Sequence, residues 1–162
     1  MLKSSPFEVT LADKQSIILP ELPIADFIKG NHKRIKVIAS FEDKIIEFHA
    51  ALKKEKTGVF RIYFSKAKQK ELGVFMNDYF ELQVYEDTSK YGVDISEELE
   101  AVFLSDYEAY TIFENLTRGK QRSIIYAIAR YKSSQMRVDK ALILTENLKR
   151  GISNQKLWFK KP

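Results

Sequence analysis

The sequence predicts an α+β fold, in which a small N-terminal β-barrel of about six strands precedes a C-terminal bundle of three to four short helices. Up to residue 91, apolar residues alternate with polar ones, which is the period of a strand that buries one face. From residue 92 onward, apolar residues recur three and four positions apart, as in an amphipathic helix. We therefore divide the chain into two predicted domains, residues 1–91 and 92–162.

The segment Gly58–Asp87 predicts a strand, a short helix, a turn and a return strand within the barrel. Ser65 suits a helix N-cap because its hydroxyl can accept a hydrogen bond from a free helix N–H. Gly73 stands where a left-handed residue ends many helices, and Asn77-Asp78 favours a turn. Alternation along the two strands places on their core side Phe60, Ile62, Phe64, Phe80, Leu82 and Val84.

Four more strands are predicted before this segment. Apolar side chains alternate along three of them, and the fourth, Ile17–Leu19, is a short apolar run. Pro20 and Pro23 mark a strand end rather than a central strand, and Ile24–Lys29 could form one helical turn that stops at Gly30. The four predicted strands are Phe7–Leu11, Ile17–Leu19, Lys33–Ala39 and Ile45–Leu52.

The C-terminal part contains four predicted helix starts, each preceded by a side chain that favours N-capping. The capping side chains are Ser96, Asp106, Thr117 and the pair Ser133-Ser134. The segment Ser89–Asp94 between the two parts is short. We therefore expect the helices to pack on the barrel or close beside it.

Composition and motifs argue against an enzyme. The 162 residues include no Cys, which excludes disulfides, zinc fingers, iron–sulfur sites and thiol catalysis. There is no Gly-rich phosphate loop, no Gly-x-Ser-x-Gly elbow and no His-Glu-x-x-His helix. His32 and His49 are expected on different strands, with His49 on the outer face opposite Phe48. We expect no catalytic residues, no cofactor and no bound metal.

No stretch approaches the roughly 20 apolar residues of a membrane span, and the N-terminus lacks the apolar run of a signal peptide. These features predict a soluble cytoplasmic protein without a transmembrane segment. Near the C-terminus, Trp158 and Phe159 lie among lysines. They could dock in a groove or touch a membrane, or they could pack the chain end onto the helices.

The charge pattern has one notable feature, between residues 115 and 138, where six basic residues occur without any Asp or Glu. With Tyr126 and Tyr131 among them, they could form a surface for nucleic acid, an acidic protein or anionic lipid. They could equally form an ordinary solvated helix face, balanced by acidic residues such as Glu97 and Glu98. The net charge of +5 fits both interpretations. The candidate contact residues are Arg118, Lys120, Arg122, Arg130, Lys132 and Arg137.

Residues from about 6 to 87 resemble the small double-split β-barrel family of unknown function, which is related in architecture to AbrB-like and MazE-like barrels. The resemblance rests on Leu19-Pro20, the strand pair between residues 33 and 52, and the stretch KELGVFMNDYFELQV. Where that family usually has Gly-Asp before its last strand, this chain has Asn77-Asp78. Asn also tolerates the turn, so the departure is mild.

Residues from about 95 to 151 resemble the YdeI/OmpD-associated, or bacteriocin-protection, helical domain. The recurring Ala-Lys…Thr-Arg…Arg pattern of that family occurs in part, as Tyr131-Lys132, Met136-Arg137 and Lys140. The order barrel then helices is also the order in which the two families commonly occur together. The resemblance implies a bacterial, non-enzymatic accessory protein in stress or antimicrobial resistance.

Two other classes stay open at this point. The barrel and the basic surplus could belong to an AbrB-like DNA-binding regulator. AbrB-like binders, however, usually dimerise through swapped barrel halves, whereas this chain holds enough strands to close its own barrel. The third class is a small-ligand-binding barrel, for which no polar constellation in the sequence argues.

Overall fold

The computed structural model describes residues 1–162, which form eight strands and six α-helices. They divide into two compact units, residues 1–88 and 89–162. Strands dominate the first unit and helices the second, so the predicted α+β class is confirmed. The strands are β1 (Phe7–Val9), β2 (Leu11–Asp13), β3 (Ser16–Leu19), β4 (Arg34–Phe41), β5 (Lys44–Ala51), β6 (Lys53–Lys54), β7 (Phe60–Tyr63) and β8 (Phe80–Glu86). The helices are α1 (Ala25–Lys29), α2 (Lys66–Leu72), α3 (Glu97–Ser105), α4 (Tyr107–Glu114), α5 (Arg118–Ala129) and α6 (Ser134–Lys149).

The strands of the first unit form two four-stranded antiparallel sheets, in the orders β1-β8-β4-β5 and β2-β3-β7-β6. In the first sheet, Val37 of β4 lies between Phe48 of β5 and Val84 of β8. Apolar side chains from both sheets form one hydrophobic core. Closure of the two sheets into a double-split barrel stays a prediction.

The unit has eight strands rather than about six, because one predicted strand is divided and one short strand was not predicted. The alternating stretch Phe7–Leu11 reads as one strand, but the chain passes from one sheet to the other at Thr10. Val9 pairs with Phe80 in the first sheet, while Leu11 pairs with Ile17 in the second. The two-residue strand β6 follows β5 after Leu52 and pairs with β7. Which sheet a strand joins depends on distant partners, which alternation does not reveal.

The register predicted for β7, α2 and β8 is confirmed. Of the six side chains expected on the core side, five are buried and only Phe60, at a strand end, is half-buried. The Ser65 hydroxyl accepts a hydrogen bond from the Lys68 N–H, and Gly73 has a φ of 83°. Asn77 has a φ of 74°, as the predicted turn requires.

The two histidines lie apart. His49 lies on β5 between the buried Phe48 and Ala50, and its Nδ1 is 2.9 Å from a carboxylate oxygen of Asp87. His32 was predicted on a strand, but it lies in the loop before β4, where its ring packs edge-on against Phe27. The short helix α1 ends at Gly30 and β4 begins only at Arg34, so His32 lies in the loop between them.

The second unit contains α3 to α6 and a short 3₁₀ helix, Gln155–Leu157. The four predicted N-caps are confirmed, because each side chain accepts a hydrogen bond from a backbone N–H three residues ahead: Ser96, Asp106, Thr117 and Ser133. None of the six helices combines the length and the apolar character needed to cross a bilayer.

The chain end packs onto these helices, as one of the sequence interpretations holds. Trp158 is only 2% exposed, and its indole N–H donates a hydrogen bond to the Ile152 carbonyl at 2.8 Å. The buried Asn147 side chain of α6 lies 2.9–3.0 Å from the carbonyls of Leu157, Trp158 and Lys160. Trp158 is therefore part of the helical core and not a free membrane anchor.

Candidate functional site

Three of the six predicted contact residues lie along one side of α5. Arg118, Arg122 and Arg130 are spaced four or eight positions apart, with Tyr126 between them, and the opposite side of the helix is buried. Residues four apart on a helix are neighbours, so these four side chains form a continuous strip, which we call the α5 surface. Lys120 lies on the other flank of the helix, and Lys132 follows its end.

Three of the six basic residues make specific contacts within the unit. Arg122 donates from its Nη1 to the Tyr91 carbonyl at 3.4 Å. Arg137 of α6 forms an ion pair with Glu98 of α3, with Nε 2.8 Å from one carboxylate oxygen and Nη2 3.3 Å from the other. Its Nη1 also donates to the carbonyls of Tyr131 and Lys132. Arg118 donates to the Gln121 side chain at 2.6 Å and lies over the ring of Tyr91. Arg137 therefore fastens α3 to α6 rather than joining the α5 surface.

The same arginine controls the ionisation of Glu98. Hydrogen bonds from Arg137 and then from Ser134 lower the pKa of the Glu98 carboxyl from 4.5 to about 2. Glu98 is therefore ionised throughout the neutral range, and the pair is fully charged. This agrees with the interpretation that acidic residues of the first helices balance part of the basic stretch.

The helical unit also contains a cleft of about 610 Å³, a size typical of small-ligand pockets. The residues after Ser89 form one wall, and the corner between α3 and α4 forms the other. Asp106 alone separates these two helices: it is the C-cap of α3 and the N-cap of α4, and it pairs with Lys149 at 2.8 Å. The sharp corner at Asp106 brings side chains from both helices to one wall.

Aromatic rings line much of this cleft. They come from Tyr91, Phe103, Tyr107 and Tyr110. The ring centroids of Phe103 and Tyr110 are 5.8 Å apart, and those of Tyr107 and Tyr110 are 6.5 Å apart, within or near the range of favourable ring pairs. The wall is therefore a connected aromatic surface.

Two large side chains at the corner are largely exposed to solvent. Leu104 is 82% exposed and Tyr107 is 79% exposed, and both line the cleft. The buried side of α3 carries Leu99, Val102 and Phe103, so Leu104 points away from the core. Exposed apolar side chains beside a cleft are typical of binding surfaces.

A hydrogen-bonded network at the back of the cleft holds four polar groups together. The Lys90 ammonium donates to the Tyr110 hydroxyl at 2.7 Å and lies 3.0 Å from the Glu114 carboxylate. The Tyr91 hydroxyl donates to the same carboxylate. Each polar group thus has a partner inside the protein, which fixes the rings of Tyr91 and Tyr110.

The ionisation states follow from these contacts. Burial, with help from Glu114, raises the pKa of the Tyr91 hydroxyl, which stays protonated. Burial would raise the pKa of Glu114, but hydrogen bonds from Tyr91 and Lys90 outweigh it and lower that pKa. The bond to Tyr110, and then that to Glu114, raises the pKa of Lys90. The network therefore holds one cation and one anion at neutral pH.

Sequence reasoning did not find this cleft, because its rings resemble ordinary core residues of amphipathic helices. One signal was available. Leu104 and Tyr107 lie outside the buried stripes of their helices and flank Asp106, which both ends one helix and begins the next. Large apolar residues out of phase on both sides of a helix junction indicate an exposed apolar corner.

With this geometry in place, comparison with known proteins finds a similarity in the helical segment. Residues 92–151 match the family model described as "Bacteriocin-protection, YdeI or OmpD-Associated". The resemblance of the helical part is confirmed. The matched segment contains the α3–α4 corner and all of α5 and α6.

The other comparisons add little. No curated protein matches the chain. A solved structure described as "The solution structure of PHS018 from pyrococcus horikoshii" shares 17% identity and a TM-score of 0.39, covering 55% of this chain and 100% of that one. A similarity this low says nothing about function, and the relation of the N-terminal unit to AbrB-like barrels stays a prediction.

Proposed function

We propose that this is a non-enzymatic bacterial accessory protein of the bacteriocin-protection type, which acts in the cytoplasm by binding a partner in the cleft of its helical unit. The observation that carries the proposal is that the segment matching the bacteriocin-protection family, residues 92–151, contributes eight of the ten side chains that line the cleft. The other two, Lys90 and Tyr91, directly precede it.

The chemistry of the cleft favours binding over catalysis. A general acid or base must be able to exchange a proton with a substrate near neutral pH. Here the Tyr91 hydroxyl donates a hydrogen bond to Glu114, and the Lys90 ammonium donates to Tyr110 and lies beside the same carboxylate. The pKa values of Tyr91 and Lys90 are raised and that of Glu114 is lowered, so each moves away from neutrality. These groups shape the cleft and are poorly suited to transfer protons.

The experiment is a survival assay in bacteria that produce the full chain or carry an empty vector. Cells are challenged with a panel of purified bacteriocins. We expect higher survival of the producing cells for at least one bacteriocin. Equal survival for every bacteriocin would overturn the proposed role in protection.

A second measurement tests the non-enzymatic part. The purified full chain is incubated with the bacteriocin that gives protection, and the bacteriocin is then weighed by mass spectrometry. We expect an unchanged mass. Cleavage or a covalent modification that requires the protein would show that the protein is an enzyme.

The α5 surface supports a second candidate, which is weak binding to nucleic acid or to an acidic protein. Arg118, Arg122 and Arg130 lie along one side of the helix beside the exposed Tyr126 ring. Guanidinium groups bind phosphate and carboxylate through two donors at once. A DNA-binding regulator of AbrB type would need tight, sequence-specific binding at physiological salt. Fluorescence anisotropy with labelled duplexes of different sequence measures this directly.

A further inference from the structure

We infer that the cleft binds a peptide segment in which an arginine or lysine side chain is flanked by apolar residues. The inference rests on the proposed function, because it names the chemistry of the partner for the same cleft. It follows from the carboxylate, the aromatic faces and the exposed apolar corner of the cleft.

The first argument concerns charge. Lys90, Asp94 and Glu100 are the charged residues that line the cleft. The Lys90 ammonium is balanced by Glu114 at 3.0 Å. Glu100 is exposed and makes no ion pair within the protein. The inference rests on this Glu100 carboxylate, which is an exposed negative charge on the cleft wall that no cation of the protein pairs with.

The second argument concerns the aromatic rings, whose faces attract cations. The Lys90 ammonium already lies 5.5 Å from the centre of the Tyr91 ring and 5.3 Å from that of Tyr110. The Arg118 guanidinium lies 5.5 Å from the centre of the Tyr91 ring. Two protein cations thus already lie over rings of this wall. The exposed Tyr107 ring has no such cation and continues the same aromatic surface.

The third argument concerns size and the apolar corner. A cleft of about 610 Å³ has room for more than one side chain. Leu104 and Tyr107 extend apolar surface to its rim, next to Glu100 on the preceding turn of α3. A free inorganic cation would leave this apolar surface in water. A basic side chain with apolar neighbours would cover the surface and place its charge near Glu100.

The test uses the purified full chain and three capped five-residue peptides. The first has a central arginine with two leucines on each side. The second replaces the arginine by citrulline, which has nearly the same shape without the charge, and the third replaces it by glutamate. Binding is measured by ¹⁵N NMR titration, following the amides of Glu100, Leu104 and Tyr107.

We expect the arginine peptide to bind about two- to fivefold more tightly than the citrulline peptide, since a partly exposed ion pair or cation–π contact contributes about this much. The glutamate peptide should bind most weakly. Equal binding of the arginine and citrulline peptides, or preference for glutamate, would overturn the inference.

The variant Glu100→Gln should remove most of the difference between the arginine and citrulline peptides. Glu97→Gln is the matched control, because Glu97 is an exposed acid of the same helix that does not line the cleft. It should keep the difference. The emission of the buried Trp158 checks that both variants keep the helical core.

The two proposals fail in distinguishable ways. Protection of cells without any preference for the arginine peptide would overturn the inference and leave the protective function in place. Preference for the arginine peptide, abolished by Glu100→Gln, without protection of cells would overturn the protective function and leave the inference standing.

Discussion

Replacement of Phe80 by alanine should destabilise the N-terminal unit by about 3–5 kcal/mol, the usual cost of removing a buried ring. Phe80 lies on β8 opposite Val9 and is 2% exposed. Its ring stacks on Phe64 with 5.6 Å between centroids, a contact worth about 0.5–1.5 kcal/mol of that total. The change therefore removes a ring pair and leaves a cavity between the two sheets.

Hydrogen exchange of the full chain, read by mass spectrometry over β4 and β8, measures this cost where it arises. Because about 1.4 kcal/mol corresponds to a tenfold change in an equilibrium, the amides of both strands should exchange roughly 10²- to 4 × 10³-fold faster. If Phe80→Ala does not fold, Phe80→Leu keeps most of the buried carbon and should cost about 1–2 kcal/mol.

Tyr79→Ala is the matched control for Phe80→Ala. Tyr79 is the preceding residue and is 68% exposed, so its truncation should change stability by less than about 0.5 kcal/mol. A cost below about 1 kcal/mol for Phe80→Ala, or a larger cost for Tyr79→Ala, would mean that the register of β8 is shifted by one residue.

Three further measurements have defined outcomes. Asn147→Ala should lower the free energy of unfolding by about 1–3 kcal/mol, because buried carbonyls of residues 157–160 lose their donor. The emission of Trp158 should shift to the red as its packing loosens. Asn154→Ala, at an exposed cap, is the control and should lower the stability less. In Glu98→Gln, the melting temperature should fall below that of the wild type above pH 5. The gap should close as the pH drops from about 4.5 towards 2, because the lowered pKa of Glu98 stabilises the fold only while the carboxyl is ionised; a gap independent of pH would contradict the pairing with Arg137. Any DNA binding by the α5 surface should be insensitive to sequence and lost by physiological salt, and tight binding to one sequence at that salt would favour the regulator.

The sequence predicted the local features well, because these depend on neighbouring residues. A cap such as Ser65 or Thr117 needs only its own hydroxyl and a backbone N–H three residues ahead. The inward register of β8 follows from alternation along a single strand. The burial of Trp158 was one of the interpretations left open for an aromatic pair that lies among lysines.

Features that depend on distant partners were not predictable in the same way. Thr10 gives no local sign that the chain changes sheets there, since only the partners of Val9 and Leu11 show it. The charge pattern grouped Arg137 with the other basic residues, but its position opposite Glu98 on α3 makes it a structural contact. The cleft lies beside the junction at Asp106, which caps both helices and pairs with Lys149, a residue distant in sequence.

The proposed role of the cleft in protection is tested most directly by one comparison of cell survival. Cells producing the wild-type chain, Tyr107→Ala or Tyr79→Ala at equal levels are challenged with the same bacteriocin. Both tyrosines are largely exposed, so truncation of either should leave the fold intact. Only Tyr107 lines the cleft. We expect Tyr107→Ala to lose protection and Tyr79→Ala to keep it. Undiminished protection by Tyr107→Ala would contradict a role for the cleft.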